Sequence, residues 1–287
     1  MHFTDSRQTV ALTIAGSDSG GNAGVQADLR AFHTYGLHGC TVFTALTAQN
    51  PFAVTAVEVP SLEFLEAQLD AVLPTYSIGA AKTGMLATRQ VIEAVAAKLA
   101  KYPDIPVVVD PVMIATSGAR LIQEDAIAAM RDCLLPRATI ATPNLPEAEE
   151  LCGNSITSPS EMLAAARTLA KRADCAILVK GGHAAGTTAT DFLAFPDGTA
   201  VRYRSPLVEH PRSTHGTGCS LSAAIAAGIA RGLSIRDAVA LGKTYVYEAI
   251  RQSLPVGPRA TVLGTPSFEE MLQNTAVETT DLGLHSL

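Results

Sequence analysis

The sequence predicts an α/β fold, a mostly parallel central sheet covered by helices on both faces, in a single domain. Three observations carry this expectation. Short β-branched runs alternate with longer amphipathic stretches along the chain, the mark of repeated βαβ units. "PVVVD" (106–110) and "CAILVKGG" (175–182) hold unbroken apolar runs, as central strands buried on both faces require. The chain of 287 residues is 47 % apolar, enough for a sizeable core, and shows no internal repeat and no linker-like stretch before about residue 265.

The elements follow in order. "VALTIAG" (10–16) reads as a strand and "VQADLRAFHTYG" as its helix; "CTVFTALTAQ" (40–49) and, after a turn, "VTAVEV" read as strands. In "SLEFLEAQLDAVL" (61–73) the residues Leu62, Leu65, Leu69 and Leu73 share one helical face. "IGAAKTG", "PVVVD", "ATIATPN" (138–144) and "CAILVKGG" supply further strands, with "RQVIEAVAAKLAKY", "EDAIAAMRDCLL" and "SPSEMLAAARTLAKR" as the helices between them. The last of these starts on a capping box, with Ser158 as N-cap, Pro159 in the first turn and Glu161 closing it. "TTATDFLAFPDGTAVRYRS" (187–205) has a Pro-Asp-Gly turn between alternating segments and reads as a hairpin on one edge of the sheet. The domain core spans about residues 10–265, and the segment 266–287 is expected to be a flexible tail.

Composition excludes several functions. The net charge is -6, the pI is near 5.6, and no basic cluster exceeds Lys171-Arg172, so there is no footprint for nucleic acid or anionic lipid. Tryptophan is absent and aromatics are 5 %, which removes the stacking platforms of single-strand binders. "MHFTDSRQTV" lacks the pattern of a secretory signal, and the apolar runs are short of the roughly 20 residues that span a bilayer. The expectation is a cytoplasmic protein with a small-molecule partner, neither nucleic acid nor membrane. Five cysteines, never in C-x-x-C spacing, argue against a disulfide frame and a zinc site.

Ligands of parallel α/β sheets bind at the carboxyl ends of the strands, and the polar or glycine-rich breaks fall there. "GSDSGGNAG" (16–24) allows close backbone approach but fits neither the Walker nor the dinucleotide pattern. "TAQN" (47–50) ends a strand on two amides, which can read donors and acceptors of a flat heterocycle or simply form a turn. Asp110 in "DPVMIATSG" has the chemistry to hold Mg²⁺, or to cap its turn. Asn144 and Glu147 in "TPNLPEAEEL" open a short helix, where a carboxylate is also favoured by the helix dipole. Lys180 in "VKGGH" is either an anion ligand or a snorkelling strand-end residue.

"HGTGCSLSAAIAAGIARG" (215–232) gives the sharpest signal. Gly216, Thr217, Gly218 and Cys219 stand at a helix start, where unpaired N–H groups and a dipole make an anion site. The dipole is expected to lower the Cys219 pKa towards thiolate.

In this order, "GSDSGGNAGVQADL", "TALTAQN", "AKTGML", "VVVDPVMIATSG", "TPNLPEAE", "LVKGGH" and "THGTGC" resemble the motifs of the hydroxymethylpyrimidine and phosphomethylpyrimidine kinases of thiamine synthesis, a ribokinase-like family. The resemblance covers roughly residues 10 to 255. It implies a three-layer αβα ribokinase-like fold without a separate lid domain, a homodimer, and ATP and Mg²⁺ as cofactors. It implies that Asp28, Gln49, Met85 and Val112 line a pyrimidine pocket, that Asp110 and Glu147 serve the metal, and that Lys180 and Lys243 hold the nucleotide phosphates. Gly216, Thr217 and Gly218 become the anion hole, with Cys219 as the base; Lys180 joins them in the catalytic set. The implied reaction is transfer of phosphate from ATP to hydroxymethylpyrimidine and to its monophosphate. A pyridoxal kinase of vitamin B6 salvage and a catalytically silent pyrimidine-binding regulator are the two rival readings. Asn22 stands where the family shows a third glycine, Ala119 where it commonly shows Asp, and "ETTDLGLHSL" matches nothing in it.

Overall fold

A computed structural model describes residues 9–113, 122–182, 187–209, 211–274 and 276–283. The sequence departure at Ala119 and the last four residues of the expected tail lie outside the described residues.

The chain builds β1 (Val10–Asp18), α1 (Gly24–Thr34), β2 (His38–Asn50), β3 (Ala53–Glu58), α2 (Leu62–Val72), β4 (Ile78–Thr83), α3 (Arg89–Leu99) and β5 (Val107–Val109). It continues with α4 (Glu124–Ala129), β6 (Ile140–Ala141), α5 (Leu145–Cys152), α6 (Pro159–Ala173), β7 (Ala176–Lys180), β8 (Thr188–Ala194) and β9 (Ala200–Pro206). The last part holds α7 (Thr217–Ala230), α8 (Ile235–Arg251), β10 (Leu254–Pro255), β11 (Thr261–Val262), α9 (Phe268–Gln273) and β12 (Glu278–Leu282). One sheet takes the order β12-β9-β8-β7-β6-β5-β4-β1-β2-β3, and β10 and β11 form a separate ribbon.

From β2 through β1, β4, β5 and β6 to β7 every pairing is parallel, so all carboxyl ends of these strands face one way. The strand periodicity of two divides the core. Leu12, Ile14, Val107, Val109, Ile177 and Val179 point to one layer, with residues of α2, α3 and α6. Ala11, Val108 and Leu178 point to the other, with α1, α7 and α8. The unbroken apolar runs thus sit between two helix layers.

Four expectations change. Leu65, Leu69 and Leu73 are buried as their spacing requires, but Leu62 is 40 % exposed at the start of α2. The expected hairpin β8–β9 forms, yet it is not the edge: β12 pairs antiparallel with β9, from Glu278 opposite Arg204 to Leu282 opposite Ala200. Much of the supposed tail is therefore ordered. The Tyr35 ring meets Phe268 edge to face at 5.3 Å, Met271 is buried, and the Gly283 carbonyl accepts a hydrogen bond from Arg167. The reason is that β12 is held by backbone pairing, which needs no apolar pattern in "ETTDL". The helix "EDAIAAMRDCLL" also changes character, passing after Ala129 into a π turn over Met130–Leu134 and a 3₁₀ turn over Leu135–Arg137, which contains Pro136.

Candidate active site

A cleft of about 360 Å³ opens along the carboxyl ends of the parallel strands, where a sheet of this topology places ligands. Strand order spreads its lining. Gly16, Asp18, Gln49 and Met85 belong to the β1, β2 and β4 end; Asp110, Asn144, Glu147 and Lys180 follow β5, β6 and β7; Asp191, Ser205, Leu207, Lys243 and Val246 belong to the β8, β9 and α8 end.

The glycine-rich loop after β1 is held by its own residues. The Asp18 carboxylate accepts N–H bonds from Gly20, Asn22 and Ala23 at 2.8, 3.0 and 2.8 Å. These bonds, with His215 beside them, keep Asp18 below its usual pKa against the opposing effect of burial. Gly24 takes φ +57°, and a Cβ there would stand 2.3 Å from the Gly16 carbonyl oxygen, so only glycine closes this turn.

Three expected pocket residues, Gln49, Met85 and Val112, line the cleft. Asp28 does not. It is fully buried beneath the wall, where its carboxylate accepts bonds from Lys82 Nζ at 3.0 and 2.9 Å and from Thr13 Oγ1 at 2.6 Å. A buried carboxylate needs a counter-charge, and Lys82, 54 positions away, supplies it. Lys82 is in turn held protonated above the usual lysine range; burial opposes this, and Asp28 outweighs it.

Asp110 and Glu147 meet beside Lys180. Lys180 Nζ donates to Asp110 Oδ1 at 3.2 Å, and Ser222 and Thr142 also bond to that carboxylate, at 3.0 and 3.3 Å. Burial pushes Asp110 up, but Lys180 and Lys82 outweigh it and hold the carboxyl below its ordinary value. Glu147 is pushed up to about 7, by burial first and by the Asp110 charge, against the pull of Lys180. It also closes the capping box of α5 with Asn144, the bonds being 2.8 and 2.9 Å, so the structural and the site readings of this residue coexist.

The N-terminus of α7 faces this cluster. Gly216 is the N-cap with φ 88°, and no side chain caps the helix, although the Thr217 N–H turns back to the Thr214 carbonyl at 3.4 Å; Gly216, Thr217 and Gly218 all line the cleft. A Cβ on Gly216 would fall 1.9 Å from the Asn22 carbonyl oxygen, so the two glycine loops touch through their backbones. A Cβ on Gly218 would lie 3.6 Å from Lys180 Nζ and 4.0 Å from Asp110 Oδ2, which brings helix terminus, lysine and carboxylate together. Thr217 Oγ1 donates to the Thr214 carbonyl at 2.9 Å. Cys219 lies in the wall, but its thiol is pushed up from 9.0 to about 11 by burial; Lys82 opposes this and Asp28 and Asp110 add to it. The expected lowering by the dipole is overturned because desolvation of a thiolate outweighs it.

Lys243 reaches the cleft, but its ammonium is bound to Asp191 at 2.6 Å, and Asp191 also accepts the Gly181 N–H at 2.9 Å. Its charge is thus already balanced within the wall. Sequence reasoning missed Asp18, Lys82, Asp191, His215 and Ser222. All five stood inside quoted stretches without being singled out; Asp18 is bonded by the N–H groups of its own loop, whereas Lys82, Ser222 and Asp191 acquire their partners across the fold.

The family profile described as Phosphomethylpyrimidine kinase matches residues 18–263. A hydroxymethylpyrimidine/phosphomethylpyrimidine kinase of Rhizobium meliloti is 48 % identical over 242 residues, covering 84 % of this chain and 90 % of the relative. Among solved structures, the phosphomethylpyrimidine kinase of Clostridium difficile superposes with a TM-score of 0.72 at 38 % identity, over 85 % of this chain and all of the other. Pyridoxal kinase from Staphylococcus aureus, in complex with AMP-PCP and pyridoxal, gives a TM-score of 0.85 at 29 % identity, over 96 % and 100 %.

Proposed function

This chain belongs to the phosphomethylpyrimidine kinase family, and from that premise we propose that it uses ATP to phosphorylate 4-amino-5-hydroxymethyl-2-methylpyrimidine and then its monophosphate, for thiamine biosynthesis. The observation that carries the reading is the convergence of an uncapped helix N-terminus, Lys180 and the Asp110–Glu147 pair on one cleft. Phosphoryl transfer has a loose transition state, and catalysis consists chiefly of positioning and charge neutralisation. The amides of Gly216, Thr217 and Gly218 receive the transferred phosphate, and Lys180 balances its charge. The nucleotide occupies the β8, β9 and α8 end, where Leu207 and Val246 offer apolar surface to the base. Lys243 shapes that end through its bond to Asp191. The acceptor occupies the opposite end, against Gln49, Met85 and Val112, with its hydroxyl towards Cys219. As the bond from the acceptor oxygen to the γ-phosphorus forms and the bond from that phosphorus to the departing ADP oxygen breaks, the thiolate form of Cys219 takes the hydroxyl proton.

The residues fit a divalent cation. Asp110 and Glu147 offer only oxygen donors, and two carboxylates beside one Lys180 leave a net negative charge in a buried cluster. Mg²⁺ held there through both carboxylates would shield the phosphates' charge during transfer.

We further propose a cytoplasmic homodimer of one kinase domain. ATP is available in that compartment, and among the described residues no helix is long and apolar enough to cross a membrane. Phe52 before the outer strand β3, Val57 within it, and Leu62 and Phe64 of α2 are exposed apolar side chains that a second copy would cover. The test of the reaction is ATP consumption with Mg²⁺ and hydroxymethylpyrimidine, its monophosphate or pyridoxal in parallel, products being identified by mass. Pyrimidine diphosphate is expected. Product from pyridoxal alone would move the protein to vitamin B6 salvage, and no turnover with any acceptor would leave a silent binder.

A further inference from the structure

The segment from α9 to β12 holds none of the family's motifs, and among the described residues none of it lines the cleft. It nevertheless touches both elements that wall the β8, β9 and α8 end. One wall is the run from Ser205 to Val208, which completes β9 and continues past it. The other is the face of α8 that carries Lys243, Val246, Tyr247 and Ile250. β12 pairs with β9 over five residues, from Glu278 opposite Arg204 to Leu282 opposite Ala200. The same segment grips α8 at its two ends. The Asn274 amide donates to Glu248 in the last turn, and Asp281 is bound to Arg236 in the first turn at 2.5 Å. Phe268, Met271 and Val277 pack into the layer that holds Val201, Tyr203 and Tyr245. Beside the Asp281 contact, the Tyr203 hydroxyl of β9 donates to the Arg236 carbonyl of α8 at 3.1 Å.

We propose that this segment is a strap whose docking fixes β9 and α8 against each other, so that strap docking and nucleotide binding favour one another. This rests on the reading of the β8, β9 and α8 end as the nucleotide site. β12 is largely exposed, and its ion pair with Arg236 is a surface contact, so only a small free energy holds it in place. An element held so weakly is open to bias by a ligand. A nucleotide lying between the two walls touches both, and it therefore binds the docked form more tightly than a form in which β9 and α8 move apart. Linkage makes the effect reciprocal: whatever docking adds to nucleotide affinity, the nucleotide adds to docking. The acceptor end is walled by loops after β1, β2, β4 and β5, which the strap does not touch, so it lies outside this coupling.

Hydrogen exchange of the full-length protein, read by peptide mass with and without the ATP analogue AMP-PCP, tests this. AMP-PCP is expected to slow exchange at 205–208 and 243–250, which it covers, and also at 276–283, which it does not touch, by about threefold or more. Two variants loosen the strap by different routes. Asp281→Lys sets like charges against each other at Arg236. Thr279→Pro combined with Thr280→Pro weakens the ladder, because successive N–H groups of an antiparallel strand point to opposite sides and one of these two is lost from the β9 side. Both variants are expected to raise the KM for ATP about three- to tenfold, following the fraction of molecules left undocked. The KM for the acceptor and kcat at saturating ATP are expected to stay unchanged. Protection at 205–208 and 243–250 without protection at 276–283 would overturn the coupling. An unchanged KM for ATP in both variants would do the same, as would a joint rise of both KM values, the mark of a general loss of order. Should the proline pair fail to fold, the exchange experiment on the wild type decides alone. No protection of either wall by AMP-PCP would overturn the reading of the nucleotide end, and the strap with it.

Discussion

At Cys219 two effects of comparable origin oppose each other. A helix N-terminus favours an anion by about 0.3–2 kcal/mol, whereas burial of a thiolate disfavours it, and burial prevails here. With the thiol pushed up to about 11, the protonated form dominates at neutral pH and the thiolate fraction grows about tenfold per pH unit below that value. The expected kcat/KM therefore climbs with pH on the alkaline side in the wild type and is flat there in Cys219→Ala. The same substitution is expected to lower kcat by about 10²- to 10⁴-fold while leaving the KM for either substrate nearly unchanged, as steady-state kinetics would read. Gly216 is constrained in a different way. Gly216→Ala puts a side chain in the left-handed region, at about 1–2 kcal/mol, and drives its Cβ onto the Asn22 carbonyl. Urea denaturation is expected to report a loss larger than the backbone preference alone, because two loops must separate. The glycines were legible in the sequence as a loop signal; the thiol's protonation was not, since it depends on what covers it.

Among the elements, the start of α6 was readable to the residue. Ser158 accepts the Glu161 N–H at 3.2 Å, and Glu161 returns the bond to the Ser158 N–H at 3.0 Å. No residue of α6 lines the cleft, so Ser158→Ala is expected to cost about 1 kcal/mol of stability in denaturant titration while kcat and KM stay unchanged. α5 begins with the same device, but Asn144 and Glu147 also line the cleft, so there capping and chemistry cannot be separated by a single substitution. Strand β12 was illegible for a physical reason. Its pattern is polar and its residues are largely exposed, and what orders it is the row of backbone groups offered by β9 together with ion pairing of Asp281 to Arg236 at 2.5 Å. Sequence periodicity records burial, and β12 buries little.

Over the whole molecule, the sheet ends differently on its two sides. β12 covers β9 at one edge, whereas β3 ends the other, with Phe52 just before it 58 % exposed and Phe64, in the helix that follows, 57 % exposed. An apolar edge of this kind invites pairing with a second copy. Sedimentation is expected to give a dimer for the wild type and a monomer for Phe52→Glu combined with Phe64→Glu; a monomeric wild type would refute the arrangement. The alternation of strands and helices, the glycine breaks at strand ends and the helix caps were determined by the sequence itself, because each depends on neighbours within a few positions. Only the tertiary structure decided that Asp28 serves Lys82 rather than the cleft, that Asp191 holds Lys243, and that Gln49 meets His215 across 166 positions. The physical reason is common to all three. A buried charge or polar atom must find a partner, and which partner it finds depends on how the strands and helices pack, not on spacing along the chain.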